Sequence, residues 1–71
     1  MLTNEFVVRY VDGLWQIRLG GRLLGGKQNK MEALQVAQGL ARSGADRGEY
    51  SKIAIADVDG STIEYPTIRP A

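Results

Sequence analysis

The chain has no cysteine and no histidine among its 71 residues. Without cysteine there are no disulfides to staple a small core, and without either residue there is no thiolate or imidazole to hold a metal. Ser–His and Cys–His nucleophile pairs are missing as well, together with the usual general base near neutral pH. Nor is there an excess of one charge: nine basic and eight acidic groups leave a formal charge of +1. That gives no overall basic field for nucleic acid. Apolar runs are short and broken by glycine or turns, so no stretch of roughly 20 apolar residues exists to span a membrane. The start, Met1-Leu2-Thr3-Asn4-Glu5-Phe6, lacks the basic region and apolar stretch of a secretory signal. These absences lead to the expectation of a cytoplasmic, non-enzymatic chain with no catalytic residue, cofactor, small-molecule substrate or metal.

What is present is ordinary globular composition, 44% apolar and 24% charged, unevenly arranged. Residues 1–30 carry five basic and two acidic groups, whereas residues 45–64 carry two basic and five acidic. The two halves are therefore electrically complementary, and self-association is allowed.

The segment Glu5–Val11 is rich in β-branched and aromatic residues, as is Leu14–Leu19, and Asp12-Gly13 separates them. An Asp-Gly pair between two such runs predicts a hairpin with a two-residue turn. That turn pairs Tyr10 with Trp15, Val8 with Ile17 and Phe6 with Leu19, placing six large apolar side chains on one face. The opposite face carries Val7, Arg9, Val11, Leu14, Gln16 and Arg18.

Gly20 to Gln28 holds four glycines and reads as a loop, with at most a short extended piece at Arg22-Leu23-Leu24. Asn29 is a preferred helix cap, and Glu32 three residues on completes a capping-box pattern. The helix presents Ala33, Leu34, Ala37, Leu40 and Ala41 as one apolar stripe. Arg42 lies in its expected last turn and Gly44 is its expected stop after Ser43. Residues 45–50 form a connector. The strands 52–57 and 61–65 pair best through a three-residue loop, Val58-Asp59-Gly60, which sets Ile55 opposite Ile63 and Ile53 opposite Tyr65. The expected architecture is α+β, a ββαββ chain whose two antiparallel hairpins form one sheet under a single helix. Residues 1–66 make the domain and residues 67–71 a frayed C-terminal tail.

Several stretches imitate known sites. Gly21-Arg22-Leu23-Leu24-Gly25-Gly26-Lys27-Gln28 approaches a phosphate-binding loop, but Gln28 stands where a magnesium-binding hydroxyl is needed. Ile53-Ala54-Ile55-Ala56-Asp57-Val58-Asp59-Gly60 resembles the nucleophile motif of haloacid dehalogenase phosphohydrolases. Only nine residues follow Thr62, too few for the rest of that machinery. Trp15 could serve as a stacking platform for single-stranded nucleic acid, yet the hairpin register turns it toward the core. Arg9, Arg18, Arg22, Lys27 and Lys30 form the one basic cluster, expected on the outer sheet face and adjoining loop. They carry the alternative expectation of a weak nucleic-acid-binding domain.

The leading expectation rests on the outer face of the first hairpin. Val7, Val11 and Leu14 point away from the helix, and Leu23 and Leu24 lie just beyond. With Arg9 and Arg18 at the rim, they form an apolar patch of the kind that contacts proteins, or a second copy in a homodimer. The other reading of the pattern is that the loop or the tail Thr67-Ile68-Arg69 folds over them.

The assembled pattern resembles the small bacterial and phage proteins of domain of unknown function family 2188. The likeness rests on Val8-Arg9-Tyr10-Val11-Asp12-Gly13-Leu14-Trp15-Gln16-Ile17 and on Glu32-Ala33 with Ala37 and Ala41. It continues in Ile53-Ala54-Ile55 and the Asp59-Gly60 turn leading to Ile63, covering about residues 6–65. The helix-opening Thr usual in that pattern is Asn29 here. The resemblance implies the same strand–helix–strand architecture and transfers no catalytic residue. A weaker likeness, through Asp12–Arg18 and Lys30–Ala33, is to the arm-type DNA-binding domain of phage integrases, which ends with its helix. By size and composition the chain is also similar to phage-type modulators of host proteins, an analogy at the level of fold alone.

Overall fold

The computed structural model describes residues 3–70, so Met1, Leu2 and Ala71 lie outside the described residues. Its element order is β1(Thr3–Val11), β2(Leu14–Leu19), β3(Arg22–Lys27), α1(Lys30–Asp46), β4(Tyr50–Ala56) and β5(Thr62–Glu64). The five strands form one sheet in the order β3-β2-β1-β4-β5. One helix packs across one face of it.

Local turn chemistry builds both expected hairpins. Asp12 and Gly13 adopt φ of 51° and 86°, the double positive φ of a type I′ turn. The register sets Tyr10 opposite Trp15, Val8 opposite Ile17 and Phe6 opposite Leu19. At the other end, Asp57 N–H donates to Ser61 O at 2.8 Å and Gly60 N–H to Asp57 O at 3.1 Å. Gly60 sits at φ 90°, closing the three-residue loop and setting Ile55 opposite Ile63.

The expectation of two simple hairpins is corrected in two ways. The glycine-rich stretch is a third strand, not a loop: β3 pairs antiparallel with β2 through a turn at Gly20-Gly21. Gly20 adopts φ 60°, which suits the first central position of a type II′ turn. The register slips by one residue between Ile17 and Arg18, leaving Leu24 without a partner, as in a β-bulge. Second, the two hairpins join through a parallel β1–β4 pair, with Phe6 opposite Ile53 and Val8 opposite Ile55. The sheet is mixed, and β3–α1–β4 is a crossover connection.

Asn29 caps α1 as expected, its Oδ1 accepting from Met31 N–H at 2.8 Å and Glu32 N–H at 3.4 Å. The helix does not stop at Gly44. It continues to Asp46, and Arg42 is not in the last turn. Gly44 is buried, and a Cβ there would come within 3.0 Å of Glu49 Oε1. This glycine serves close packing, and the left-handed stop falls to Gly48 at φ 84°. Gly48 N–H donates to Ala45 O at 3.0 Å and Glu49 N–H to Gly44 O at 2.9 Å, the two bonds of a Schellman motif.

The core joins Phe6, Val8 and Ile17 to Ile53 and Ile55, covered by Ala33, Leu34, Ala37 and Ala41. Leu40, expected in the stripe, is 38% exposed, and half-buried Val36 packs on the core instead. Trp15 is partly buried against the core, but Tyr10 is 46% exposed. Lys30 Nζ lies 5.6 Å from the Trp15 ring centre, so the helix begins over Trp15 and leaves Tyr10 beside it, tilted against the indole at 5.3 Å. Where fraying is expected from residue 67, Ile68 exchanges two backbone bonds with Ser51, at 2.8 and 3.0 Å, and packs toward the core.

Candidate interaction surface

Alternation along each strand sends odd residues of β1 away from the helix, because Phe6 and Val8 point into the core. Register then extends that outer face across the sheet. One row runs Leu23, Arg18, Val7, Ala54, Glu64 from β3 to β5. The next runs Gly26, Gln16, Arg9, Ala56, Thr62. Below the first row Glu5 stands beside Lys52, and above the second Val11 stands beside Leu14. Among the described residues no element packs over this face: α1 lies on the other side, and Tyr65 and Ile68 turn toward the core. Of the tail, Ile68 turns inward and Thr67 reaches the face only at the rim of the hollow over Val7 and Ala54.

Six of the seven sequence-derived contact residues share this surface: Val7, Arg9, Val11, Leu14, Arg18 and Leu23. Leu14 and Leu23 are 41% and 52% exposed. Leu24 is the bulge residue, exposed but assigned to no face by pairing. Leu14 leans over Gly26, where an added Cβ would meet its Cδ1 at 3.5 Å. Arg18 donates from Nη1 to Gln16 Oε1 and from Nη2 to Gly21 O, each at 3.2 Å, which holds the guanidinium against the β2–β3 end of the face.

The sequence reading missed the other half of the surface, namely Glu5, Lys52, Ala54, Ala56 and Glu64. Here the short side chains of Val7 and Ala54 floor an open depression of about 440 Å³, walled by Glu5, Lys52, Glu64 and Thr67. Only the β1–β4 pairing puts these residues beside Arg9 and Arg18, and alternation within either strand carries no sign of it.

The expected basic cluster is divided. Arg9 and Arg18 lie on the outer face, but Arg22 and Lys27 pair with Leu19 and Trp15, whose side chains face the helix. Lys30, at the start of α1, is an ion-pair partner: its Nζ donates to Asp57 Oδ2 at 2.8 Å. The five cations do not form one patch.

The acidic turns are occupied by their own chain. Asp57 Oδ1 accepts from Val58 N–H at 2.8 Å, and Asp59 Oδ1 accepts from Ser61 Oγ at 2.6 Å and Ser61 N–H at 2.9 Å. The stretch resembling a phosphohydrolase nucleophile is thus a hairpin end. Glu49 accepts from Asn4 Nδ2 at 2.8 Å and from Arg47 Nε at 3.3 Å. Among the described residues no group of three acidic side chains is placed to hold a metal, and no helix is long and apolar enough to cross a membrane.

These contacts give the fold an acid limb. The Lys30 hydrogen bond lowers the Asp57 pKa from its usual 3.8, that of Ser61 lowers Asp59 from the same value, and Arg47 lowers Glu49 from 4.5. A carboxylate depressed on folding stabilises above its unfolded pKa, and that contribution disappears as pH falls through the folded value. Asp57 raises Lys30 above 10.5, so its contribution is lost on the alkaline side. The melting temperature is expected to decline as pH drops below about 4.5, and Asp57→Asn to flatten that decline. Parallel melting curves for the two proteins from pH 6 to about 2 would show that the Lys30–Asp57 pair is not part of the acid response.

Comparison of the chain with known protein families, with curated proteins and with solved structures finds no match.

Proposed function

We propose that the protein is a small non-enzymatic protein-interaction or regulatory module that binds through the outer sheet face. The observation that carries this reading is an uncovered, pre-formed sheet surface on which Val7, Val11, Leu14 and Leu23 stand beside Arg9 and Arg18. Two features make it a contact surface. Its side chains sit on paired strands, so little conformational entropy is lost on binding. It also mixes an apolar strip with fixed charges, which favours a protein partner over a lipid or a bare phosphate backbone. The glycine-rich segment contributes as β3, the edge next to this face. Likeness to family 2188 and to phage-type modulators of host proteins belongs to the same proposal and adds no catalytic residue.

Val11 is the informative position, half-buried beside Leu14 and remote from the core cluster. Val11→Asp is expected to abolish capture of the partner, or self-association, while leaving the circular-dichroism spectrum and melting temperature close to wild type. Retained binding by a folded Val11→Asp variant would sink the assignment to this face. A nucleic-acid reading keeps only Arg9 and Arg18 as neighbours on one surface. It calls for a steep fall of oligonucleotide binding with salt, and a flat response removes it.

A further inference from the structure

We propose that the occupant of the outer face is a second copy of the chain, packed sheet on sheet about a two-fold axis running along the strands between β1 and β4. This rests on the reading above and names its partner. Charge complementarity across the face carries the inference.

A two-fold axis lying between two sheets and parallel to their strands preserves height along the strand and reverses the order across the sheet. With the axis between β1 and β4, β1 lies over β4 of the second copy and β2 lies over its β5. Four of the five outer-face charges on those strands, all but Arg9, then meet an opposite charge. Glu5 faces the second copy's Lys52, and Lys52 faces its Glu5. Arg18 faces the second copy's Glu64, and Glu64 faces its Arg18. Between them Val7 faces Ala54, Arg9 lays its aliphatic stem over Ala56, and Gln16 faces Thr62. No residue on those strands is left facing a like charge.

Neighbouring axes fail this test. Centred on β1, the operation sets Glu5 against Glu5 and Arg9 against Arg9. Centred on β4, it sets Lys52 against Lys52. Between β2 and β1 it leaves Arg18 over Val7 and Glu5 beyond the end of β2. An axis across the strands puts each strand over its own copy and, through the Arg18 row, sets Arg18 on Arg18 and Glu64 on Glu64. Of these placements, the axis between β1 and β4 is the one that pairs opposite charges with each other, as a self-complementary isologous interface requires.

Packing agrees with the charges. Aligned sheets sit about 10 Å apart with strands within about 30° of each other. The small side chains at the centre, Val7, Ala54 and Ala56, let the backbones approach. The depression walled by Glu5 and Glu64 receives the second copy's Lys52 and Arg18. Arg18 spends two donors on Gln16 and Gly21, leaving three of the guanidinium's five for a facing carboxylate.

Charge reversal with rescue tests this geometry. Within one chain Arg18 and Glu64 are three strand spacings apart, about 14 Å, beyond the screening length of about 8 Å at physiological salt. Their coupling must therefore act between copies. Sedimentation of the full chain over a concentration series into the high micromolar range is expected to show a reversible monomer–dimer equilibrium. Arg18→Glu and Glu64→Arg should each weaken it about tenfold or more. The double variant, Arg18→Glu with Glu64→Arg, should return to within a few-fold of wild type. Circular dichroism confirms that each variant is folded, and both sites are on the surface. A wild-type chain that stays monomeric throughout overturns the second copy as occupant, as does a dimer whose strength ignores the swaps or is not rescued by the pair. A monomer that still captures a foreign protein in a Val11-dependent way would remove this inference and leave the interaction reading standing. If the wild-type chain stays monomeric and a folded Val11→Asp variant still captures every foreign protein that wild type captures, the interaction reading itself is lost.

Discussion

Ile17→Ala lowers the unfolding free energy by about 2–5 kcal/mol, with the upper part of that range expected. Ile17 is 0% exposed. It pairs with Val8 on one side and with Gly25 on the other, under the helix. A large-to-small change costs most where neighbours cannot move in to fill the space. Gly25 has no side chain to offer, and Val8 is held by paired strands on both sides. For a chain of this size a typical stability is roughly 4–10 kcal/mol, so the variant loses a large share of its margin. Urea titration followed by the fluorescence of Trp15, the single tryptophan, gives the number directly. Val58→Ala, at a turn residue 69% exposed, is the matched control. A loss under about 1 kcal/mol for Ile17→Ala would mean that the centre of the core lies elsewhere.

Ala37→Leu is the opposite experiment and is expected to cost about 1–3 kcal/mol or more. Ala33, Ala37 and Ala41 are all 0% exposed and follow one another at four-residue spacing along the buried side of α1. They set how near the helix axis comes to the sheet, while Phe6, Ile53 and Ile55 supply the volume. Three added carbon atoms at the middle of that line either lift the helix or force strained rotamers. Lifting it also draws Gly44 away from its packing near Asn4 and Glu49. Helix propensity favours Leu nearly as well as Ala, so a loss of stability must come from packing. An unchanged or raised urea midpoint would show room above the sheet that the structure does not have.

What was legible in the sequence is what short-range chemistry decides. Asp12-Gly13, the Asn29 cap and the Val58-Asp59-Gly60 turn each fold as their local signals require, and the strand registers beside them follow. Two glycine-rich stretches misled the reading for different reasons. Gly25 and Gly26 have no side chains to show alternation, and the unpaired Leu24 breaks the period, so β3 resembled a loop. Gly44 has the look of a helix stop, but burial against Glu49 makes it a contact glycine, and Gly48 four residues on ends the helix. Tyr10 shares the helix side of the sheet with Trp15 yet stays 46% exposed, because facing that side is not the same as lying beneath the helix. Of the outer face, the β1–β2 half could be read, since one hairpin holds it. Glu5, Lys52, Ala54 and Glu64 come together only through the long-range β1–β4 pair, and no local rule reports that pairing. The basic cluster failed in the same way: five cations near in sequence fall on two sides of a sheet.

The parallel β1–β4 pair also governs how quickly the chain can reach its native state. All three hairpin turns can close within microseconds because they need only local search. The central pair, and the bond from Asn4 to Glu49 across 45 residues, must wait until β2, β3 and α1 are drawn into one crossover. Loop closure over that span is paid for before most of the core is assembled, which slows the rate-limiting step. Hairpin formation should therefore be a fast pre-equilibrium, and mutations at the β1–β4 seam should change the folding rate more than mutations at any hairpin turn.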